Sequence, residues 1–357
     1  MLGVIAPPTI ISRNENGRVK LIIQIPCFNE ESTLPLVFEK MPRQIVGIDE
    51  IEYQIIDDGS TDRTIEVARS LGVHHIVRAG RVNRRWLGRA FRMGVDHALQ
   101  QGADIVVNTD GDNQYPSELI EVLVRPILDG RADIVIGDRS PGKISEFSWI
   151  KRKLQVLGSG VIQFLTGGAV KDAVSGFRAY SREALLRINV LTNYTYTVDT
   201  LIQAQKKGLD IEWLPIFTNS KTRDSRLITS LFAKVRKSGS TILRLVTLYE
   251  PFKTFMLFAA LFMVPGVLLL ARFFIVYILL HGRGAGLIQS VVIGGVCVVV
   301  AVQMFVLGIL ADLLSANRTL IEDLLARIRA LELSSSGKKL TQQSKKVSED
   351  DQAANSL

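Results

Sequence analysis

Cysteine is scarce: the 357 residues contain only Cys27 and Cys297. One lies in a mixed polar segment and the other inside a long apolar run, so no disulfide is expected, which suits a cytosol-facing protein. The first residues, "MLGVIAPPTIISRNENGR", have neither the charged start nor the long apolar core of a signal peptide, and export is not expected. No internal repeat is visible. The net charge of +8 comes without a groove-reading or single-strand-binding motif. That sets nucleic acid aside and leaves an anionic membrane surface or anionic substrates. After Glu332 the chain has no aromatic residue and little apolar content, so residues 334–357 are expected to be a disordered tail.

Strand-length apolar runs are present in a regular order. "VKLIIQI" (Val19–Ile25), "YQII" (Tyr53–Ile56), "VHHIV" (Val73–Val77), "DIVV" (Asp104–Val107), "ADIVIG" (Ala132–Gly137) and "IEWLPIF" (Ile211–Phe217) read as strands. Between them "STLPLVFEKM", "DRTIEVARSL", "LGRAFRMGVDHAL" and "SELIEVLVRPIL" read as helices, the last with Pro116 just before it. Strand–helix alternation predicts an α/β domain over residues 19–225, a mostly parallel sheet covered on both faces, after an N-terminal extension of 1–18.

From Thr254 the texture changes. Residues 254–280 and 287–311 are each apolar for long enough to cross a hydrocarbon core of roughly 30 Å, and only "HGRGAG" (His281–Gly286) joins them. An antiparallel transmembrane hairpin over 254–313 is expected, followed by a cytoplasmic helix over 314–333; a buried hairpin in a soluble core is the alternative. Lys234, Arg236, Lys237, Arg244 and Lys253 precede the spans, and Arg318, Arg327 and Arg329 follow them. The positive-inside rule then places the α/β domain and both termini in the cytoplasm, on a plasma (inner) membrane. Residues 226–253 mix apolar and basic positions as amphipathic juxtamembrane helices do. Arg272, inside the first span, either snorkels or faces a partner helix or lipid phosphate. Gly294, Gly295 and Gly308 offer small surfaces for helix association.

The stretch "VNTDGDNQYP" (Val107–Pro116) carries the chemistry. Asp110 and Asp112 follow a strand, where open α/β sheets place ligands. Carboxylates at i and i+2 on a turn, with Gly111 between, can converge on one hard divalent cation, Mg²⁺ or Mn²⁺, that keeps open positions for phosphate oxygens. Asp57 and Asp58 follow another strand. The first strand runs into Pro26, which stops the ladder, and then Asn29, Glu30 and Glu31. Asn29 and Ser60 suit helix caps. Three strand ends bearing acids and turn residues describe a crevice for a sugar nucleotide, whose ribose hydroxyls and base imino groups can donate to carboxylates.

"IPCFNEE", "DDGSTDRT", "NRRWLGRAFRMGVDHAL", "DGDNQYP", "IGDRS" and "VKDAVSGFRAYSREAL" occur in the order of family 2 glycosyltransferases of the GT-A fold. The chain resembles their polyprenyl-phosphate branch over about Leu21 to Leu227. The resemblance implies metal-dependent, inverting transfer of a sugar from a nucleotide-sugar donor to undecaprenyl or dolichyl phosphate. It places Pro26, Glu30, Asp57, Asp58, Gly88, Asp110, Lys221 and Arg223 at the donor. Asp110, Asp112 and Gln114 fall at the metal, and Arg139, Arg152 and Ser175 at the acceptor; Asp110, Asp112, Arg139 and Arg152 form the catalytic set. It also implies a homo-oligomer, a tetramer being one form. The chain departs from the family pattern at "NRRWLGRA", "NSKTRDSRL" and "DGDNQY". A hydroxyl acceptor with Asp199 as base is an alternative, and a membrane-anchored binder of nucleotide sugars without catalysis is another.

Overall fold

A computed structural model of the chain describes residues 17–78, 87–139, 170–190, 196–219, 247–279 and 288–354, with side chains through 333. Each apolar run read as a strand is one: β1 (Lys20–Cys27), β2 (Glu50–Asp57), β3 (His75–Arg78), β4 (Ile105–Asn108), β5 (Ile134–Asp138) and, last in the chain, β7 (Ile211–Pro215). The predicted helices are α1 (Leu34–Glu39), α2 (Thr64–Ser70), α3 (Leu87–Gln100) and α4 (Ile120–Leu128), the last entered through a 3₁₀ turn at Ser117–Leu119. Pro116 precedes that turn, where its missing N–H costs nothing.

The sequence reading misses one strand, β6 (Arg178–Ser181), followed by α5 (Arg182–Arg187) and α6 (Thr197–Lys206). Four residues that include Arg and Ser give no apolar run, yet every one is buried. The sheet order is β3-β2-β1-β4-β6-β5-β7, with β6 antiparallel to both its neighbours and every other pairing parallel. Mostly parallel is therefore correct, and the exception matters for the site.

Strand alternation explains both covered faces. Leu21, Ile23 and Ile25 of β1 point to the layer holding Val37 of α1, Ala68 of α2 and Leu123 and Ile127 of α4. Ile22, between them, joins Phe91, Val95 and Leu99 of α3 with Leu185 of α5 and Leu201 of α6 on the other side. Each fully buried Ile or Leu contributes roughly 1.5–3 kcal/mol. α3 lies close on the sheet because Gly94 has no side chain; a Cβ there would come within 2.5 Å of Gln24 Oε1 and 2.7 Å of Ile56 Cδ1.

The chain divides into two compact units, Met1–Thr229 with Asp323–Leu357, and Ser230–Glu322. In the first, Arg329 pairs with Asp96 of α3 at 3.7 Å, and Leu333 packs on the α3-side core. The second holds α7 (Pro251–Leu279) and the start of α8 (Ile288–Ala354). Both helices are long and apolar enough to cross a membrane, and only 17% of the most apolar stretch of each is buried. A helix hidden in a soluble core would be mostly buried, so that alternative loses its ground. The helices run antiparallel: Gly266 meets Cys297 and Val298, whereas Phe252 meets Phe305 near the other end.

Two expectations change here. Gly294 and Gly308 do not offer a face to another copy, because they accommodate α7. A Cβ on Gly294 would lie 3.1 Å from Gly266 O, and one on Gly308 would lie 3.0 Å from Phe255 Cβ; only around Gly295 is the space open. The tail expected to lack structure continues α8 as helix to Ala354. Its Lys, Gln, Glu and Ala are good helix formers, and helix backbone requires no apolar core for its local hydrogen bonds. Most of the amphipathic stretch 226–253, and residues 1–16, lie outside the described residues.

Candidate active site

The carboxyl ends of β1, β2, β4 and β5 lie along one sheet edge. Between β1 and β4 the strand order reverses, since the chain first steps outward to β2 and β3 and then returns. Such a switch point opens a crevice. Pro26 helps to open it, in a way that differs from the expectation. It does not end β1, which pairs with β2 through Cys27, but pairing with β4 stops earlier, at Gln24 and Asn108.

Asn29 and Ser60 are not helix caps; the caps of α1 and α2 are Thr33 and Arg63. They join the turns after β1 and β2 instead. Asn29 N donates to Ser60 Oγ at 3.0 Å, Thr61 N to Asn29 Oδ1 at 2.8 Å, and Glu30 N to Thr64 Oγ1 at 2.8 Å. Asp57 is buried and accepts from Ser60 N at 2.9 Å, while Asp58 N donates to Cys27 O at 3.0 Å. Glu30, also buried, accepts from Thr33 Oγ1 at 2.6 Å. The expected donor acids are thus on one reinforced wall. Burial, then Glu30, Asp57 and Asp110, push the Cys27 thiol well above its ordinary pKa.

The Asp110–Gln114 turn closes against that wall. Gly111 sits close against it: a Cβ would meet Cys27 Sγ at 3.1 Å and Glu30 Cγ at 3.3 Å. Asn113 takes a left-handed φ of 59°, which Asn tolerates better than most residues. Asp112 Oδ1 accepts from Gln114 N at 3.1 Å. From beyond β7, Asn219 N donates to Gln114 O and its Nδ2 to Asn113 O, both at 2.9 Å.

Asp110 leans on Gly176, where a Cβ would stand 3.2 Å from both carboxylate oxygens. Burial first, then the neighbouring Asp112 charge, pushes the Asp110 carboxyl up to about 7; Arg139 works the other way. Two crowded acids of this kind fit a hard divalent cation, which would relieve their repulsion. Among the described residues no cluster of three or more His, Cys, Asp or Glu side chains forms a closed metal cage. A two-carboxylate set is the kind that leaves coordination positions to phosphate oxygens.

β6 enters this edge from the opposite direction, so the loop before it, Val170–Phe177, arrives beside the acids. Arg139, directly after β5, is gripped there by Asp172: Nε donates to Oδ2 at 2.7 Å and Nη2 to Oδ1 at 2.9 Å. Burial works against the Arg139 charge, but the Asp172 hydrogen bonds outweigh it and raise its pKa. Its guanidinium lies 6.0 Å from the centre of the Tyr115 ring. Tyr115 OH accepts from Gly176 N at 3.0 Å, and burial followed by the Asp110 charge pushes that phenol up to about 12. Beneath, Asn108 Nδ2 donates to Tyr196 OH at 2.7 Å and Gly176 O at 3.0 Å. Ser175 is fully buried, and its N donates to Asp172 O at 3.4 Å.

Asp110, Asp112, Gln114, Pro26, Glu30, Asp57 and Asp58 therefore share the edge with Arg139. Gly88 is buried in the first turn of α3. Arg152, Lys221, Arg223 and the Arg84–Arg85–Trp86 departure lie outside the described residues. Asp199 is fully buried in the first turn of α6, where Oδ1 accepts from Gln203 Nε2 at 3.2 Å. The sequence reading gave no part to Asp172, Tyr115, Tyr196 or Asn219. Their partners are distant along the chain, and only the quoted "KDAVSGF" and "DGDNQY" mark two of the loops involved.

Residues 22–188, which hold the acids, Arg139 and Asp172, match the profile of glycosyl transferase family 2. An uncharacterized protein of Methanocaldococcus jannaschii is 32% identical over 229 residues, 60% of this chain and 90% of that protein. Polyprenol monophosphomannose synthase of Mycolicibacterium smegmatis is 28% identical over 221 residues, 58% of this chain and 81% of the synthase. Among solved structures, glucosyl-3-phosphoglycerate synthase from Mycobacterium tuberculosis, in complex with Mn²⁺, UDP-glucose and phosphoglyceric acid, superposes with a TM-score of 0.51 at 26% identity. That match covers 64% of this chain and 80% of the synthase. With the acids at a GT-A switch point and relatives alike in both sequence and fold, this chain belongs to glycosyl transferase family 2 and is a glycosyltransferase.

Proposed function

We propose that the protein transfers a sugar from a nucleotide-sugar donor to a polyprenyl phosphate, with inversion, using Mg²⁺ or Mn²⁺ at the cytoplasmic face of the plasma membrane. The observation that carries this reading is a single edge on which the Asp110–Asp112 pair and Arg139 stand together, in a chain with two exposed apolar helices. The polyprenyl acceptor is supported by the mannose synthase relative, and the metal by the Mn²⁺ and UDP-glucose in the neighbouring structure.

A phosphate monoester is already an anionic nucleophile at neutral pH, so the site needs no strong base. It has to bring two anions together. A bound divalent cation would offset charge on the donor diphosphate and its leaving group. Asp110 and Asp112 would hold it, and Gln114 is the further ligand proposed. Glu30 and Asp57 orient the nucleoside. Arg139, with Arg152, binds the acceptor phosphate and aims its oxygen at the anomeric carbon, so that much of the rate comes from orientation. Lys221 and Arg223 are proposed at the donor diphosphate. The basic stretch 226–253 would hold the crevice against an anionic leaflet, each basic residue contributing about 1 kcal/mol. A homo-oligomer, a tetramer included, remains part of the proposal; mass measurement in lipid nanodiscs tests it, and a monomer there would remove it.

Turnover with a panel of nucleotide sugars, offered polyprenyl phosphate or hydroxyl acceptors, tests the reading. Product on polyprenyl phosphate is expected, and product on hydroxyl acceptors alone would overturn it. Asp199→Asn separates the readings further. Loss of a general base costs about 10²–10⁴-fold, whereas a structural carboxylate in the Gln203 network leaves kcat on lipid phosphate within a few-fold of wild type. A large drop in kcat in a stably folded Asp199→Asn would favour the hydroxyl acceptor.

A further inference from the structure

Arg139 meets Asp172 side-on. A guanidinium carries five N–H donors in one plane. Two of them, on Nε and Nη2, point into the Asp172 carboxylate. Both hydrogens of Nη1 and the second hydrogen of Nη2 remain, and Nη1 makes no hydrogen bond among the described residues. Those hydrogens lie on the edges of the plane turned away from Asp172, in the fork that suits two oxygens of one phosphate.

The carboxylate that produces this orientation is built in firmly. The Asp172 side chain is 0% exposed, against 27% for Arg139. It also accepts from Arg139 N and Val174 N, both at 3.3 Å. The loop around it is tied down by Arg178, itself fully buried at the start of β6. Arg178 donates from Nε to Ser175 O at 2.8 Å, from Nη2 to Ala173 O at 2.9 Å, and from Nη1 to Thr197 O at 2.7 Å and Thr200 Oγ1 at 3.0 Å. Loop residues at 173 and 175 are thereby fastened to α6.

A competing destination for Arg139 is close by. The Tyr115 ring lies beside it, the Tyr115 hydroxyl accepts from Gly176 N, and Gly176 is the residue on which the Asp110 carboxylate rests. An arginine without Asp172 at this edge would have the Asp110–Asp112 pair to turn toward. Pairing there would set it against the donor side and away from an incoming acceptor.

We propose that Asp172 is a positioning residue for sugar transfer: it holds Arg139 on the acceptor side, with its Nη1 edge presented to the phosphate monoester and kept from Asp110 and Asp112. This rests on the proposed function, since it assumes a phosphate acceptor.

The test is a double-mutant cycle read on both substrates. Turnover of the wild type on polyprenyl phosphate decides the function itself; the cycle compares variants of an enzyme that turns over. Asp172→Asn keeps the side-chain shape but loses the charge. Arg139→Lys keeps the charge but cannot make the fork. Each is expected to lower kcat/KM for polyprenyl phosphate about ten- to a hundredfold, the range for one charge-assisted contact. At saturating Mn²⁺, which outcompetes a released Arg139 for Asp110 and Asp112, calorimetric binding of UDP is expected to stay within about twofold of wild type. The double variant should lose no more than either single one, because both changes remove one interaction. Multiplying losses, weakened UDP binding, or wild-type acceptor kinetics in Asp172→Asn would each overturn the proposal. If Asp172→Asn melts below assay temperature, Arg139→Lys decides alone: unaltered acceptor kinetics with lysine in place overturns it.

Discussion

Replacing Asp112 with alanine is expected to lower sugar transfer by at least about a thousandfold, the upper end of what removal of one preorganised electrostatic group costs. The reason is not a general loss of ionised carboxylate. Asp112 is one of the groups holding the Asp110 carboxyl up near 7, second to burial, so its removal lets Asp110 ionise more readily at neutral pH. On the proposed metal role activity falls all the same, because one carboxylate in place of two would not keep a divalent cation against the donor diphosphate. The measurement is kcat under saturating Mg²⁺ or Mn²⁺, with circular dichroism to establish that the variant is folded. Wild-type turnover by Asp112→Ala in the presence of a chelator would sink the metal assignment.

The second large effect concerns the apolar helices. Replacing residues 254–311 with a flexible polar linker is expected to leave UDP binding unchanged, since the donor acids all lie in Met1–Thr229. Transfer to a long-chain polyprenyl phosphate should fall about 10²–10⁴-fold, the range lost when two partners no longer share a tether. A short, water-soluble phosphate acceptor should be used nearly as well as by the intact protein. That pair of results would mean that the hairpin serves the proposed reaction by keeping the enzyme at the surface where a lipid phosphate resides. Equal use of both acceptors by the linker variant would reduce it to an anchor with no part in presenting substrate.

Much of the α/β domain could be read from the chain because its signals are local. A run such as "KLIIQI" needs only its own neighbours to declare a strand buried on both faces, and Leu21, Ile22 and Ile23 do divide between two cores. The Asp110–Gly111–Asp112 turn was legible for the same reason, since strand, turn and helix follow one another within a dozen residues. β6 was not. Arg178 and Ser181 look like surface residues until the backbone on either side is known, and a strand of four residues offers no period to count. Gly294 and Gly308 illustrate the limit in the other direction: their small size was visible, but which helix uses it depends on how α7 and α8 cross.

Composition and pattern by themselves determined that this chain has an α/β domain, two acids at a strand end and two spans of membrane length, because hydrophobic periodicity and turn chemistry are properties of adjacent residues. Tertiary structure alone decided that Asp172 grips Arg139 across 33 positions, that Gly176 makes room for Asp110, and that Asn219 pins the Asp110–Gln114 turn across 106. The first two follow from the antiparallel entry of β6, and the third from β7, whose parallel pairing with β5 brings its carboxyl end to the same edge. A carboxylate in a segment such as "VKDAVSGF" reads alike in sequence whether it faces water or an arginine, and burial is what makes the difference one of function.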